Sequence, residues 1–330
     1  KGAMLKAWRL ISAIVLVILA LGPVPAVQAD GPQQVWVDDD YCMSCANGGH
    51  VWQVEAFTTI QAAMRAVAPG GVVHVLPGYY QEDVVVHKPC TLLGEGAGGA
   101  VIAPDRADVT VLVAANDVVV EGLRVKGGAQ AAILVVGPDF QRQPIRGVAI
   151  RLNEVQGGLF GIAVNIDAQW NYGQLPATGI EISHNTVSGC TRAVYVYNAE
   201  ASISSNNISG LTREGIGIYS SWGSASRIRS NTVRVDAANG RAIYVLENQG
   251  TVIDGNTLLG VSDVVTPTTA LALYGYTDLA LSNNTIRGFY WGTNTYTGGT
   301  ARITGNTFHN PVAWALNLGS AITTTQVLVE

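Results

Sequence analysis

Charge is the first thing this 330-residue chain is short of: Lys and Arg number 19 and Asp and Glu 24, together 13% of the residues, and the five His and three Met are scattered. Beyond residue 29 only Lys88 and Lys126 remain of the lysines, and no basic run occurs anywhere. That poverty argues against a nucleic-acid partner, whose phosphates call for a cationic stripe, and offers no general attraction to anionic lipid or polyuronate. The thin His and Met supply does not form the clustered imidazole or soft ligands that copper handling needs. Long apolar runs are missing too. The longest, Leu10 to Leu21, falls short of the roughly 20 residues that span a bilayer, so no stable membrane insertion is expected. Lys6 and Arg9 precede that run and Val27-Gln28-Ala29 follows it, the pattern of a secretory signal peptide over residues 1–29 that directs the chain to secretion or the cell surface. Its removal takes away Lys1, Lys6 and Arg9 and no acid, moving the formal net charge from −5 to −8.

What the chain has instead is a repeat. Asn153, Asn185, Asn206, Asn231, Asn256, Asn284 and Asn306 recur at spacings of 32, 21, 25, 25, 28 and 22 residues. An aliphatic stands three residues before each (Ile150, Ile182, Ile203, Ile228, Ile253, Leu281, Ile303) and an apolar residue two after. A short strand, a corner at Asn and a second strand place both apolar positions inside a coil, because side chains alternate across a strand. Asn suits such a corner through its tolerance of the left-handed backbone region. Stacked at the strand spacing of about 4.8 Å, the Asn amides can bond one another in an internal ladder. A third strand follows in each turn, with core pairs Ile162/Val164, Val194/Val196, Ile216/Ile218, Ile243/Val245, Leu271/Leu273, Thr293/Thr295 and Leu316/Leu318. The reading is all-β: a single-stranded right-handed parallel β-helix of three parallel sheets.

The N-terminal half supplies the start. Residues 57–71 predict a short amphipathic capping helix with Thr58 or Thr59 at its N-cap, Ile60, Ala63, Met64 and Val67 as its apolar stripe, and Pro69-Gly70-Gly71 as its stop. Residues 30–56 read as a loop segment carrying Cys42 and Cys45 in a C-x-x-C, and 57–330 as the coil. The last residues, 323–330, begin another strand where a further corner Asn is due, which leaves room for a further C-terminal domain. In an exported chain Cys42 and Cys45 read as a local disulfide, with a metal loop using Asp38, Asp39, Asp40 and His50 as the alternative. The Asp run lacks the glycine and terminal Glu of an EF-hand loop, so calcium or a plain solvated loop both stay open there, and no other cofactor is expected. Cys90 and Cys190 lie too many turns apart to bond and read as small buried residues.

The succession Thr59-Ile60-Gln61-Ala62-Ala63, Pro69-Gly70-Gly71, Pro77-Gly78-Tyr79-Tyr80, Glu82-x-Val84 and Lys88-x-x-Thr91-Leu92-x-Gly94-x-Gly96, followed by Asn-cornered repeats, resembles the pectin-lyase-like superfamily, in particular exported bacterial β-helix proteins with NosD-like repeats. The resemblance covers residues 34 to 330. It implies the parallel β-helix, and a saccharide groove across the outer face of the third sheet. The superfamily's polygalacturonase motifs are absent and its pectin esterase pattern is not completed, so no complete lyase, hydrolase or esterase set is present.

Outward positions of the third strand align as one column of Ala163, Tyr195, Gly217, Tyr244, Ala272, Asn294 and Asn317, beside a second of Asn165, Tyr197, Tyr219, Leu246, Tyr274, Tyr296 and Gly319. Tyrosines along a flat face can offer π-faces and hydroxyls to sugar rings, or stack on one another between turns as sheet packing alone. Neither column holds a charge. The residue entering each third strand forms a column of Phe160, Arg192, Glu214, Arg241, Thr269, Trp291 and Trp314. The expected function is therefore binding of a glycan or cell-surface polysaccharide through Tyr195, Tyr197, Tyr219, Tyr244, Tyr274, Tyr296, Trp291 and Trp314. The alternative is a polysaccharide-active lyase or hydrolase, with Glu214 or Glu247 as acid or base and Arg192 and Arg241 holding an anionic group. A structural stalk or adhesin is the third reading.

Overall fold

The computed structural model describes residues 31–317 apart from 97–98, 138–142, 167–174, 213, 224 and 262–266. The expected leader, Leu318 and Gly319 of the last expected third strand, and the C-terminal residues 323–330 lie outside the described residues. The short strands sort into three sheets of 12, 10 and 10 members, every pairing parallel. Each sheet takes one strand per turn, giving the right-handed parallel β-helix. The first sheet runs from Ala56–Phe57 and Gln34–Val37 to Ala301–Thr304, the second from Gly78–Tyr80 to Thr307–His309, and the third from Val84–Val86 to Trp314–Asn317. The segment read as an N-terminal loop thus also contributes a strand: Gln34–Val37 pairs with Val72–Val75 in full register.

The repeat that defined the frame is what fills the interior. Ile150, Ile182, Ile203, Ile228, Ile253, Leu281 and Ile303 are in register on consecutive turns and almost wholly buried. Val155, Val187, Ile208, Val233, Leu258 and Ile286 do the same in the second sheet. Full burial of such a side chain contributes about 1.5–3 kcal/mol, and each turn obtains it only because its neighbours cover it.

Between those two columns the Asn ladder is complete. The Oδ1 of each Asn accepts from both the backbone N–H and the Nδ2 of the Asn one turn before, at 2.8–3.1 Å, from Asn153 through Asn306. Each Nδ2 also donates to a first-sheet carbonyl of the preceding turn, as Asn231 does to Ile203 at 2.9 Å. Leu123, in the position of the missing first Asn, donates its N–H to Asn153 Oδ1 at 3.0 Å. One expectation is corrected. The left-handed residue at the corner is the one before Asn: Leu152, His184, Ser205, Ser230 and Asn283 have φ between 55° and 58°, while none of the ladder Asn residues has positive φ. The Asn is selected for its amide and its neighbour absorbs the backbone turn.

The open first turn is covered by helix α1 (Ile60–Ala66), whose N-cap is Thr59, with its hydroxyl accepting from Ala62 N–H. Ile60, Ala63, Met64 and Val67 are fully buried, as its stripe requires. The motif residues that carried the family resemblance turn out to be its fixings. The Glu82 carboxylate accepts from the N–H groups of Ile60 and Gln61 at 2.7 and 2.9 Å, two of the donors a helix start leaves unpaired. The Glu82 pKa is raised, chiefly by burial, against the pull of those two bonds. Lys88 Nζ donates to the carbonyls of Arg65 and Val67 at the other end of the helix, at 3.0 and 2.7 Å. Gln61 presents its side-chain amide to both backbone groups of Val85, occupying the place of a strand at the edge of the third sheet.

Cys42 and Cys45 are joined in a disulfide. Asn47, buried behind it, accepts from Cys42 N–H and donates to Cys42 C=O, and the chain then returns so that His50 stacks on Trp36. Cys90 and Cys190 are free and buried, and burial pushes their thiols up to about 11 and about 12. Asp38, Asp39 and Asp40 bring carboxylate oxygens within 4.8 Å of one another, but Asp39 accepts from Tyr79 N–H and Asp38 from Asp40 N–H.

Candidate functional site

The outer face of the third sheet is built by strands whose inward residues are mostly apolar, with Ser220, Thr293 and Thr295 as buried exceptions, and whose outward residues the register sets in columns. The first outward column runs Leu112, Leu134, Ala163, Tyr195, Tyr219, Tyr244, Ala272, Asn294, Asn317. The second runs Tyr197, Ser221, Leu246, Tyr274, Tyr296. These differ from the sequence alignment at one turn. Strand Ile216–Ser221 is displaced by two residues: Ile218, not Ile216, lies opposite Val194, Ser220 opposite Val196, and Tyr219 opposite Tyr195. The inward position expected to hold Ile218 holds Ser220, which is buried, accepts from Asn248 Nδ2 at 2.7 Å and donates to Ser226 at 3.2 Å. A hydroxyl satisfied by a buried amide takes a place that apolarity alone assigned to isoleucine.

That displacement dissolves one proposed constellation. The entry column is Phe160, Arg192, Ile216, Arg241, Thr269, Trp291, Trp314, so Glu214 does not stand between Arg192 and Arg241. It lies two residues earlier in an exposed turn, at φ 59°, with its N–H bonded to Ala238 C=O. Glu247 is exposed at the opposite end of the strand, after Leu246. Glu247 stands six positions beyond Arg241, about 20 Å along the chain at 3.3 Å per residue, so the Glu247 and Arg241 backbones are not brought together.

The aromatic residues are. Phe160, Tyr195, Tyr219, Tyr244, Tyr274 and Tyr296 form a continuous series with successive ring centroids 5.2, 4.8, 4.6, 5.2 and 4.6 Å apart. The Tyr219–Tyr244 and Tyr274–Tyr296 pairs are stacked and the Tyr244–Tyr274 junction is edge-on. The two arginines lie over this series. The Arg192 guanidinium is 5.6, 5.7 and 5.8 Å from the rings of Phe160, Tyr195 and Tyr219, and that of Arg241 is 5.6 Å from Tyr244, cation–π distances.

Exposure divides the face. Tyr195 is 3% exposed, within a small second core with Leu134, Phe160, Ala163 and Ile166, so its ring is unavailable to a ligand, contrary to expectation. Tyr197, Tyr219, Tyr244, Tyr274 and Trp291 are half-buried, and Tyr296 and Trp314 are 48% and 56% exposed. Asn294 donates to the Tyr296 hydroxyl at 3.0 Å and accepts from Asn317 at 3.1 Å, which fixes the open end. Burial and the neighbouring tyrosines push Tyr274 up to about 12. The N-terminal half of the face is thus closed and cation-capped, and the C-terminal half is an open band of aromatic rings.

No curated protein matches the chain. Among solved structures it is similar to a deglycosylated pectin methylesterase from Aspergillus niger (12% identity, 90% of this chain and 92% of that one, TM-score 0.49). It is also similar to the pectin methylesterase from carrot (13%, 93% and 91%, TM-score 0.45) and to the DFA-IIIase from Arthrobacter chlorophenolicus A6 (12%, 79% and 83%, TM-score 0.46). Identities this low bear on no activity of this chain. A family model described as a right handed beta helix region matches residues 160–327, just over half of the sequence, and with the three-sheet coil in view the chain belongs to the right-handed β-helix family.

Proposed function

We propose that the protein binds an extended polysaccharide through the C-terminal half of the third sheet's outer face, without cleaving it. The observation that carries this reading is the open band made by Tyr274, Tyr296, Trp291 and Trp314, which lies on the outer face of a parallel sheet and holds no carboxylate in any of its three columns. Aromatic faces suit the apolar faces of pyranose rings, and a row of them repeated turn by turn suits a polymer better than a small molecule. Binding is favoured over the enzymatic alternative because Ile216, not Glu214, stands in register between Arg192 and Arg241, and Glu247 lies at the other end of its strand from Arg241.

The test is retention on a panel of insoluble neutral and acidic polysaccharides, comparing wild type with a Tyr296→Ala/Trp314→Ala double variant. Both side chains are about half exposed, so the variant should fold as wild type does. Retention of the wild type on at least one polymer and its loss in the variant is the expected result. Equal retention of both proteins, or none on any polymer, would remove the reading.

A further inference from the structure

The stacked end of the tyrosine series has a chemistry of its own, independent of any saccharide. Tyr274 and Tyr296 are directly opposite in register on adjacent strands, so like parts of the two side chains face each other. Their ring centroids are 4.6 Å apart with only 14° between the planes. Asn294 donates to the Tyr296 hydroxyl at 3.0 Å, which fixes that ring on the strand. Two phenols stacked face to face from opposed positions of adjacent strands bring ring carbons of one beside ring carbons of the other. Tyr296 is 48% exposed and gives an oxidant access to the pair.

We propose that Tyr274 and Tyr296 form an intramolecular dityrosine when the protein meets a one-electron oxidant, such as a haem peroxidase acting with hydrogen peroxide. Each phenol gives up one electron and its hydroxyl proton. The two phenoxyl radicals join through ortho carbons, and the two ortho hydrogens pass to the oxygens as the rings regain aromaticity. The net change is loss of two hydrogen atoms from the protein and reduction of one hydrogen peroxide to two waters. The rest of the series delivers electron vacancies to this end: contacts of 4.6–5.2 Å link Tyr195, Tyr219 and Tyr244 to Tyr274. The guanidiniums of Arg192 and Arg241 over Tyr219 and Tyr244 oppose positive charge on those rings. The terminal pair, which no guanidinium covers among the described residues, is where a vacancy comes to rest. The product staples two adjacent turns across the outer face of the third sheet.

The experiment treats the full chain with a haem peroxidase and limiting hydrogen peroxide at low protein concentration. Dityrosine fluorescence is read on the monomer band of a denaturing gel, and the coupled peptides are mapped by mass spectrometry. The expected result is a monomeric product lighter by two hydrogens, with Tyr274 joined to Tyr296. Tyr296→Phe and Tyr274→Phe, which keep ring packing, should each lose the signal to background. Tyr79→Phe, exposed and outside the series, should retain it. A wild-type map placing the bond elsewhere, a product only between chains, no dityrosine at all, or a signal surviving in Tyr296→Phe would each overturn the proposal. Because the peptide map is made on wild type, the result does not hang on the variants folding.

Discussion

Replacing Asn231 with Ala should remove about 3–5 kcal/mol of stability. Asn231 is fully buried and sits mid-ladder. Its Oδ1 accepts from the N–H and Nδ2 of Asn206 at 3.0 and 2.9 Å, and its Nδ2 donates to Ile203 C=O and Asn256 Oδ1 at 2.9 and 3.0 Å. Alanine keeps the backbone N–H bond to Asn256 but loses all four side-chain bonds, at about 1 kcal/mol net each. The stranded Asn206 N–H is the worst consequence, because a buried donor without a partner costs about 1–3 kcal/mol and water has no route to it. Asn306→Ala, at the half-buried last corner, should cost only about 1–2 kcal/mol, since solvent can replace what is lost. Urea unfolding followed by circular dichroism gives the comparison. Midpoints are compared at constant slope, since a solenoid need not unfold in two states. Asn231→Gly separates the two roles of the corner: because Ser230 carries the positive φ, glycine should be no better than alanine. A loss below about 1 kcal/mol for Asn231→Ala, or a rescue by glycine, would refute the amide argument.

Leu152 is an exposed leucine at φ 58° in a column that elsewhere uses Gly122, His184, Ser205, Ser230, Gly255, Asn283 and Gly305, none of them aliphatic. Leu152→Gly should therefore raise stability by about 0.5–1 kcal/mol, the left-handed penalty less the entropy of glycine, and an unchanged or lower melting temperature would contradict it. Thiol titration of denatured, unreduced protein should find only Cys90 and Cys190 reactive, and four thiols would contradict the Cys42–Cys45 bond. Alkaline pH should destabilise the fold through Tyr80 and Tyr274. Both phenols are raised above the ordinary value of 10.0, chiefly by burial, Tyr274 to about 12. A raised phenol favours the fold fully below its unfolded pKa, and the contribution drains away as pH climbs past 10 toward the folded value. Tyr80 also donates to Leu76 C=O at 2.8 Å, so Tyr80→Phe should lower stability at neutral pH and flatten the loss above pH 10. A denaturation midpoint independent of pH between 8 and 11 would contradict this.

Most of the fold was legible because its cause is periodic. Apolar residues three before and two after each ladder Asn recur turn by turn, and a stacked coil is what buries them. The helix, too, showed itself in Ile60, Ala63, Met64 and Val67. Its fixings did not: Glu82 and Lys88 lie 22 and 21 residues from the backbone groups they bond, and no local pattern links a carboxylate to a distant helix start. They show why the opening motif speaks for architecture and is silent on activity, since Gln61, Glu82 and Lys88 are all engaged in closing the first turn.

The candidate site was legible only as far as register was. Aligning turns by apolarity set Ile216 and Ile218 in the core and Glu214 between two arginines. The fold instead turns Ser220 inward, because Asn248 one turn later supplies the partner that makes a buried hydroxyl tolerable. Alternation across a strand is a parity rule, and a shift of two residues preserves parity, so Tyr219 was read as outward correctly but in the wrong column. Gly217, read as outward, instead faces Val233 in the core, and Ile216, read as core, takes the entry column. The consequence falls on the surface. Moving Tyr219 from the second column to the first closes the gap between Tyr195 and Tyr244, turning two broken rows into one unbroken aromatic series, and it takes Glu214 out of the column that holds Arg192 and Arg241. A polar pair in the core thus decides whether the outer face reads as a catalytic cluster or as a band of rings, and the second is what the Ser220–Asn248 bond produces.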